Sequence, residues 1–174
     1  VHQSFAARQR VLAKMGNSDA MVIWFTDTQP GVAKASQSLD AIAVMDEWMA
    51  NIRKNPTLSV VENRPERAVD SCFDVSGAPI AKGSGVWDGV LDEKPAGACT
   101  KLFPMYTTSH MVAGGPIEGG IFRCALKPVD TALKDGTYGT WAPTEAEIQK
   151  LKAIFPEGVC DFSKPDQTRT ALGM

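Results

Sequence analysis

The sequence predicts an α/β protein in two parts. Residues 1–56 read as the terminal helix–strand–helix of a sheet, and residues 57–174 as a Gly/Pro-rich β and loop extension with one helix, packed on the same domain. Three observations carry this. The run Ala20-Met21-Val22-Ile23-Trp24-Phe25 is apolar throughout and lies between two segments of helical periodicity, as a strand covered on both faces of a parallel sheet would be. After Pro56 the chain breaks into short apolar pieces punctuated by Gly and Pro, which excludes a helical bundle. Four cysteines, Cys72, Cys99, Cys124 and Cys160, all fall in this second part.

Taken in order, Ser4 to Met15 is helical. Ser4 is placed to cap, Phe5, Leu12 and Met15 share a face, and Gly16 supplies a left-handed stop. The apolar strand comes next, and Gln29-Pro30-Gly31 breaks the pattern. Leu39, Ile42, Met45, Met49 and Ile52 repeat at steps of three and four, predicting an amphipathic helix with these residues on its core side. Asn55-Pro56 ends it. Strand-like pieces are expected at Leu58–Val61, Cys72–Val75, Pro79–Lys82, Met111–Ala113 and Ile121–Cys124, with a hairpin turn over Asp74–Pro79. Thr144-Glu145-Ala146-Glu147 is a capping box, opening a helix over about residues 144–155 with Ile148, Leu151, Ile154 and Phe155 as its stripe. The tail from Asp161 is polar and extended, tethered through Cys160.

Composition narrows the function. The 174 residues are 44% hydrophobic, enough for one buried core, and the formal net charge is −2. Arg8, Arg10, Arg53, Lys54, Arg64 and Arg67 are scattered, so there is no electrostatic case for nucleic acid or an anionic membrane. No apolar run approaches the roughly 18–20 residues that span a bilayer. The chain opens on Val rather than Met, which points to a processed or truncated N-terminus.

No cysteine pair is spaced as Cys-x-x-Cys, and neither histidine lies at ligand spacing from a cysteine, so no metal site is expected. An even count of widely spaced cysteines in loops fits two disulfides and an exported protein, secreted or periplasmic. Of the three possible pairings the sequential one, Cys72–Cys99 with Cys124–Cys160, is preferred. Each bridge would then close a loop of roughly 30 residues, worth on the order of 3 kcal/mol.

The chemistry is incomplete. The sequence contains no Gly-x-Ser-x-Gly elbow, no His-Glu-x-x-His and no dinucleotide fingerprint. Gly83, Gly85 and Gly89 lack the helix or Gly-Lys-Ser/Thr that a phosphate loop needs. The only histidines are His2 and His110. His110 follows Ser109, but neighbours on an extended segment point to opposite faces and would not pair. Asp27, at the end of the apolar strand, stands where α/β sheets place functional carboxylates, and equally where a turn uses an Asp. In α/β-hydrolases the triad runs Ser, acid, His along the chain, with the His late and a helix often after it. A C-terminal portion of such a protein would hold the His and lack the nucleophile, and His2 followed by a helix fits that picture.

Four stretches add a resemblance. They are Ser38-Leu39-Asp40-Ala41-Ile42-Ala43-Val44-Met45-Asp46-Glu47-Trp48, Ala113-Gly114-Gly115-Pro116, Phe122-Arg123-Cys124-Ala125-Leu126-Lys127-Pro128, and the closing Phe155-Pro156-Glu157-Gly158-Val159-Cys160-Asp161-Phe162-Ser163-Lys164-Pro165. Together, over much of residues 36–165, they resemble the C-terminal region of tannase-like α/β-hydrolases, the family of tannases and feruloyl esterases, and most of all a bacterial branch of it. The resemblance implies ester hydrolysis by a Ser/Asp/His triad and export from the cytoplasm, with His2 as general base; His110, the other histidine of the chain, is the fallback. Gln3 follows His2 where tannases carry a disulfide-linked cysteine, which marks a separate branch and leaves the substrate open.

The expected function is therefore a serine-type ester hydrolase. This chain would be the C-terminal segment or small chain that supplies the catalytic His, while a companion chain or N-terminal portion carries the Ser nucleophile. The substrate would be a small-molecule or oligomeric ester, and this chemistry needs no cofactor. The rival reading is a non-catalytic exported binding or structural domain with Trp24, Trp87 and Trp141 as contact aromatics, although core packing is the commoner duty for each. A third is a self-contained enzyme built on His110.

Overall fold

The computed structural model describes residues 1–27 and 37–168. Helices and small sheets are mixed along the chain, which divides into two compact units, Val1–Met105 and Tyr106–Met174. Two disulfides, Cys72–Cys99 and Cys124–Cys160, lie one in each unit.

In the first unit, α1 spans His2–Met15. It begins earlier than the Ser4 cap predicts: Val1 is the N-cap, and its carbonyl accepts the Ser4 and Phe5 amides at 3.1 and 3.4 Å. Ser4 is thereby drawn into the first turn. Gly16 closes the helix at φ 77°, its N–H on the Leu12 carbonyl, a left-handed stop that costs glycine no Cβ clash. Of the expected stripe only Phe5 is buried; its inward neighbour is Ala6, while Leu12 and Met15 are exposed.

Strand β1 (Trp24–Thr26) runs parallel to β2 (Ser71–Phe73), which pairs antiparallel with β3 (Pro79–Lys82). The sheet order is β1-β2-β3. The apolar run thus contributes fewer strand residues than its length suggests. Ile23 is buried just before β1 and feeds the same ladder, its amide on the Asp70 carboxylate at 2.8 Å and its carbonyl accepting from the Ser71 amide at 3.0 Å. The predicted hairpin closes between β2 and β3, where Asp74 accepts the Ser76 and Ala78 amides at 2.8 and 2.9 Å. Leu58–Val61, expected as a strand, is a series of turns instead, with Leu58 and Val60 exposed. Among the described residues no strand pairs with this segment. The break at Gln29-Pro30-Gly31 lies outside the described residues.

Helix α2 (Ser38–Lys54) forms where the periodicity places it, but it is turned the other way. Val44 and Trp48 are buried against Ala68, with Val22, Trp24 and Ile52 around them, while Leu39, Ile42, Met45 and Met49 are exposed. The helix has two apolar faces, and the tighter fit goes to Trp48, whose Nε1–H also reaches the Val60 carbonyl at 2.7 Å. A short helix α3 (Ala98–Leu102) carries Cys99 to Cys72.

The second unit contains α4 (Ser109–Val112), β4 (Ala125–Lys127), α5 (Val129–Lys134), α6 (Glu145–Ile154) and β5 (Val159–Asp161). β4 and β5 pair antiparallel, and Cys124–Cys160 ties them at one end. Its core is Val129, Ala132 and Val159, with Leu133, Tyr138 and Leu151 packed around. The expected strand at Met111–Ala113 is helical, because the Thr108 hydroxyl caps the Met111 amide and starts a turn. The strand expected at Ile121–Cys124 begins only at Ala125. The capping box of α6 is present in both directions. The tail is anchored by Asp166, which accepts the Arg123 amide at 2.9 Å, and by Gln167, whose amide reaches the Arg123 carbonyl at 2.8 Å; residues 169–174 lie outside the described ones.

Candidate functional site

His2 opens α1. It is half-buried, and its Nε2 is shielded from solvent without a hydrogen-bond partner among the described residues. A buried polar atom left unmatched costs free energy, so this nitrogen stands out. The next two turns of the helix fix its position. One turn on, Phe5 is almost wholly buried, its ring 5.5 Å from Trp87 and 6.5 Å from Phe25. Phe25 in turn stacks on Phe103 at 6.0 Å and meets Trp87 edge-on at 5.3 Å. Offset and edge-on contacts of this kind lock ring orientation beyond what area burial alone would do.

Two turns after His2, Arg8 grips the sheet. Its Nη1 and Nη2 donate to the two Asp70 oxygens at 2.7 Å each, and Nη2 also reaches the Met21 carbonyl at 3.0 Å. The Arg8 side chain is 12% exposed. Asp70 Oδ1 also accepts the Ile23 amide, so one carboxylate joins α1, the entry to β1 and the entry to β2. Sequence reasoning missed this pair. Arg8 reads as one of several scattered basic residues, and nothing local signals a partner 62 positions away.

Asp27 follows the end of β1, half-buried, with its amide on the Phe73 carbonyl at 3.0 Å. It stands at the carboxyl end of a parallel strand. In the other unit, His110 sits in α4, half-buried, its ring 4.8 Å from that of Phe162, and its Nε2 also has no hydrogen-bond partner among the described residues. Ser109 and His110 are consecutive on a helix rather than on an extended segment, where neighbours diverge by about 100°. Gly115 lies against His110: a Cβ there would meet the imidazole and the His110 carbonyl. Among the described residues no group of three or more His, Cys, Asp or Glu side chains is arranged to hold a metal ion.

Of the three candidate contact aromatics, Trp87 is buried with its Nε1–H toward the Ile23 carbonyl at 3.3 Å, and Trp24 packs edge-on against Phe73 at 5.4 Å. Trp141 is 46% exposed beside Tyr138. No helix among the described residues is long and apolar enough to cross a membrane.

Residues 1–171 match a tannase-like family of unknown function (DUF6351), and the chain belongs to that family. No curated protein and no solved structure matches it.

Proposed function

We propose, from this membership of the tannase-like family, that the chain is the C-terminal segment or small chain of an exported serine-type ester hydrolase. In this reading His2 is its general base, and the nucleophile lies on a companion chain or a preceding portion. The observation that carries the reading is the shielded, unpartnered Nε2 of His2 at the head of a helix pinned by Phe5 and Arg8. A general base needs a nitrogen that no other group of its own unit occupies, and a rigid support. His2 Nε2 accepts the hydroxyl proton of the serine as its oxygen attacks the ester carbonyl, then passes that proton to the departing alcohol. In the second half it takes a proton from the attacking water.

Two features of the first unit support the larger assembly. Among the described residues β1 has no partner on its outer edge, although parallel strands are ordinarily found well inside a sheet. The exposed face of α2, with Leu39, Ile42, Met45 and Met49, is that of a helix covered from both sides. Further strands and helices of an α/β-hydrolase core would join at these surfaces. The two disulfides support export.

The test is the native mass of the protein from its source, with labelling by a serine-directed phosphonate. A larger labelled polypeptide, with ester turnover falling about 10²–10⁴-fold in His2→Ala and little changed in His110→Ala, is the expected result. A lone unlabelled species near 18.7 kDa leaves the binding or structural domain in its place. Loss of turnover in His110→Ala alone would move the base to the second unit.

A further inference from the structure

We propose that the outer edge of β1 is a joint where the nucleophile-bearing chain or portion adds one β-strand to the sheet. An apolar side chain of that strand fills a cavity between β1 and α2. The identity of the partner rests on the ester-hydrolase reading; the kind of element that docks, and the atoms that receive it, do not. Backbone alternation supplies the first observation. The Ile23 carbonyl accepts the Ser71 amide and the Asp27 amide donates to the Phe73 carbonyl, both at 3.0 Å. In register with these, Phe25 turns its backbone groups to β2. Trp24 and Thr26 therefore turn theirs outward, where no hydrogen-bond partner among the described residues meets them.

The two edges of the sheet differ. β3 carries Pro79 and Lys82 and is exposed at both, devices by which a terminal strand resists further pairing. β1 has neither, and no charged residue lies between Ala20 and Thr26. Beside this edge is a cavity of about 390 Å³ with an entirely apolar lining. Met21, Val22 and Trp24 stand on one side of it, and Ala41, Val44 and Met45 of α2 on the other. Its indole N–H groups are committed, Trp24 to the Val69 carbonyl and Trp48 to the Val60 carbonyl, each at 2.7 Å. No lining side chain is left to hydrogen-bond a polar occupant, whereas a Val, Leu, Ile or Phe side chain would exchange water for apolar contact there. A second copy of this chain cannot supply one. Paired edge to edge, it would bring only Trp24 and Thr26 to the α2 side of the joint. Trp24 is already packed against the Val44–Trp48–Ala68 core, and Thr26 is polar. The occupant is therefore a strand of different sequence, apolar at the positions that face α2.

Hydrogen exchange at single amides, read by mass spectrometry with electron-transfer fragmentation, tests this on the native protein from its source and on the 174-residue chain alone. In the native protein the Trp24 and Thr26 amides should exchange about 100-fold more slowly than in the chain alone. The Phe25 amide, which faces β2, should be slow in both. Thr26→Pro removes an outward N–H and no bond to β2, and Met45→Lys sets a charge at the exposed rim of the cavity. Each should speed Trp24 exchange in the native protein about tenfold or more, and the circular dichroism of the chain alone should not change. Fast Trp24 exchange in a native protein that carries a phosphonate-labelled serine would overturn the joint and leave the hydrolase reading standing. Slow exchange with no labelled serine would do the reverse. Exchange that neither variant alters would also overturn the joint. So would protection that grows with concentration in the chain alone, at twice its 18.7 kDa mass, since a second copy would then occupy the edge. A lone species of 18.7 kDa overturns both readings.

Discussion

Arg8 and Asp70 meet in a two-pronged ion pair that carries α1 onto the sheet, and the same carboxylate holds the backbone at Ile23. Breaking such a pair from one side leaves a charge stranded in a partly dry site. With side chains 12% and 23% exposed, the penalty falls below that of a fully buried pair, at about 2 kcal/mol. Asp70→Asn and Arg8→Met should each lower stability by this much, read from urea unfolding. The double variant should lose less than the sum, because no unpaired charge remains.

Cys72 and Cys99 are both fully buried, 27 residues apart. Replacing both by Ala should cost about 3 kcal/mol, largely by freeing the unfolded chain. Urea unfolding of the oxidised parent and the double variant, run side by side, measures the difference.

Gly97 leaves no room for a side chain. A Cβ there would run into the carbonyl oxygens of Gly85 and Val86, which are backbone and cannot swing aside. The Cys99 amide bonds the Val86 carbonyl at 3.0 Å in the same place. Gly97→Ala should therefore destabilise the first unit by about 2 kcal/mol or more, read from thermal unfolding. Gly136→Ala, where the space is empty but φ is +79°, should show only the smaller penalty of a left-handed residue, about 1 kcal/mol.

Thr144 and Glu147 cap α6 reciprocally: the Thr144 amide donates to the Glu147 carboxylate at 2.7 Å, and the Glu147 amide to the Thr144 hydroxyl. Thr144→Ala should cost about 1 kcal/mol, while Thr144→Asp should recover most of it. Thermal unfolding of the three proteins side by side checks both.

Acid should loosen the second unit by a traceable route. Lys127 at 2.6 Å, and then the Thr137 hydroxyl, hold the Asp135 carboxyl down at about 2, from an ordinary 3.8. A folded-state value below the unfolded one stabilises at pH above 3.8, and the contribution disappears as pH falls from 3.8 toward 2. Asp135→Asn should lower stability at neutral pH and flatten that stretch of the curve. The fluorescence of Trp141, which belongs to this unit, reports the transition.

The parts of the fold governed by short-range rules were legible in the sequence. The Gly16 stop, the extent of α2, the turn at Asp74–Ala78 and the capping box at Thr144 each depend on a few adjacent residues, and each is present. Two disulfides also fit the spacing of the cysteines. Of the candidate site, His2 could be singled out because histidine is scarce here, but its Arg8–Asp70 support could not, since a pair 62 residues apart has no local signature.

Tertiary packing decided the rest. α2 carries apolar residues on two faces, and its own periodicity cannot say which is buried; the pocket formed by Ala68, Val22 and Trp24 accepts Val44 and Trp48 and leaves Leu39, Ile42, Met45 and Met49 outside. Ile23 has the composition of a strand residue, yet β1 begins at Trp24, where the ladder with β2 sets in. At Met111 a single capping hydroxyl outweighed an apolar tripeptide with strand character. Sequence alone determined where elements start, stop and turn, because those choices are made by neighbours. Which faces meet was settled only by partners distant in the chain, because burial belongs to the assembled surface and not to the residue.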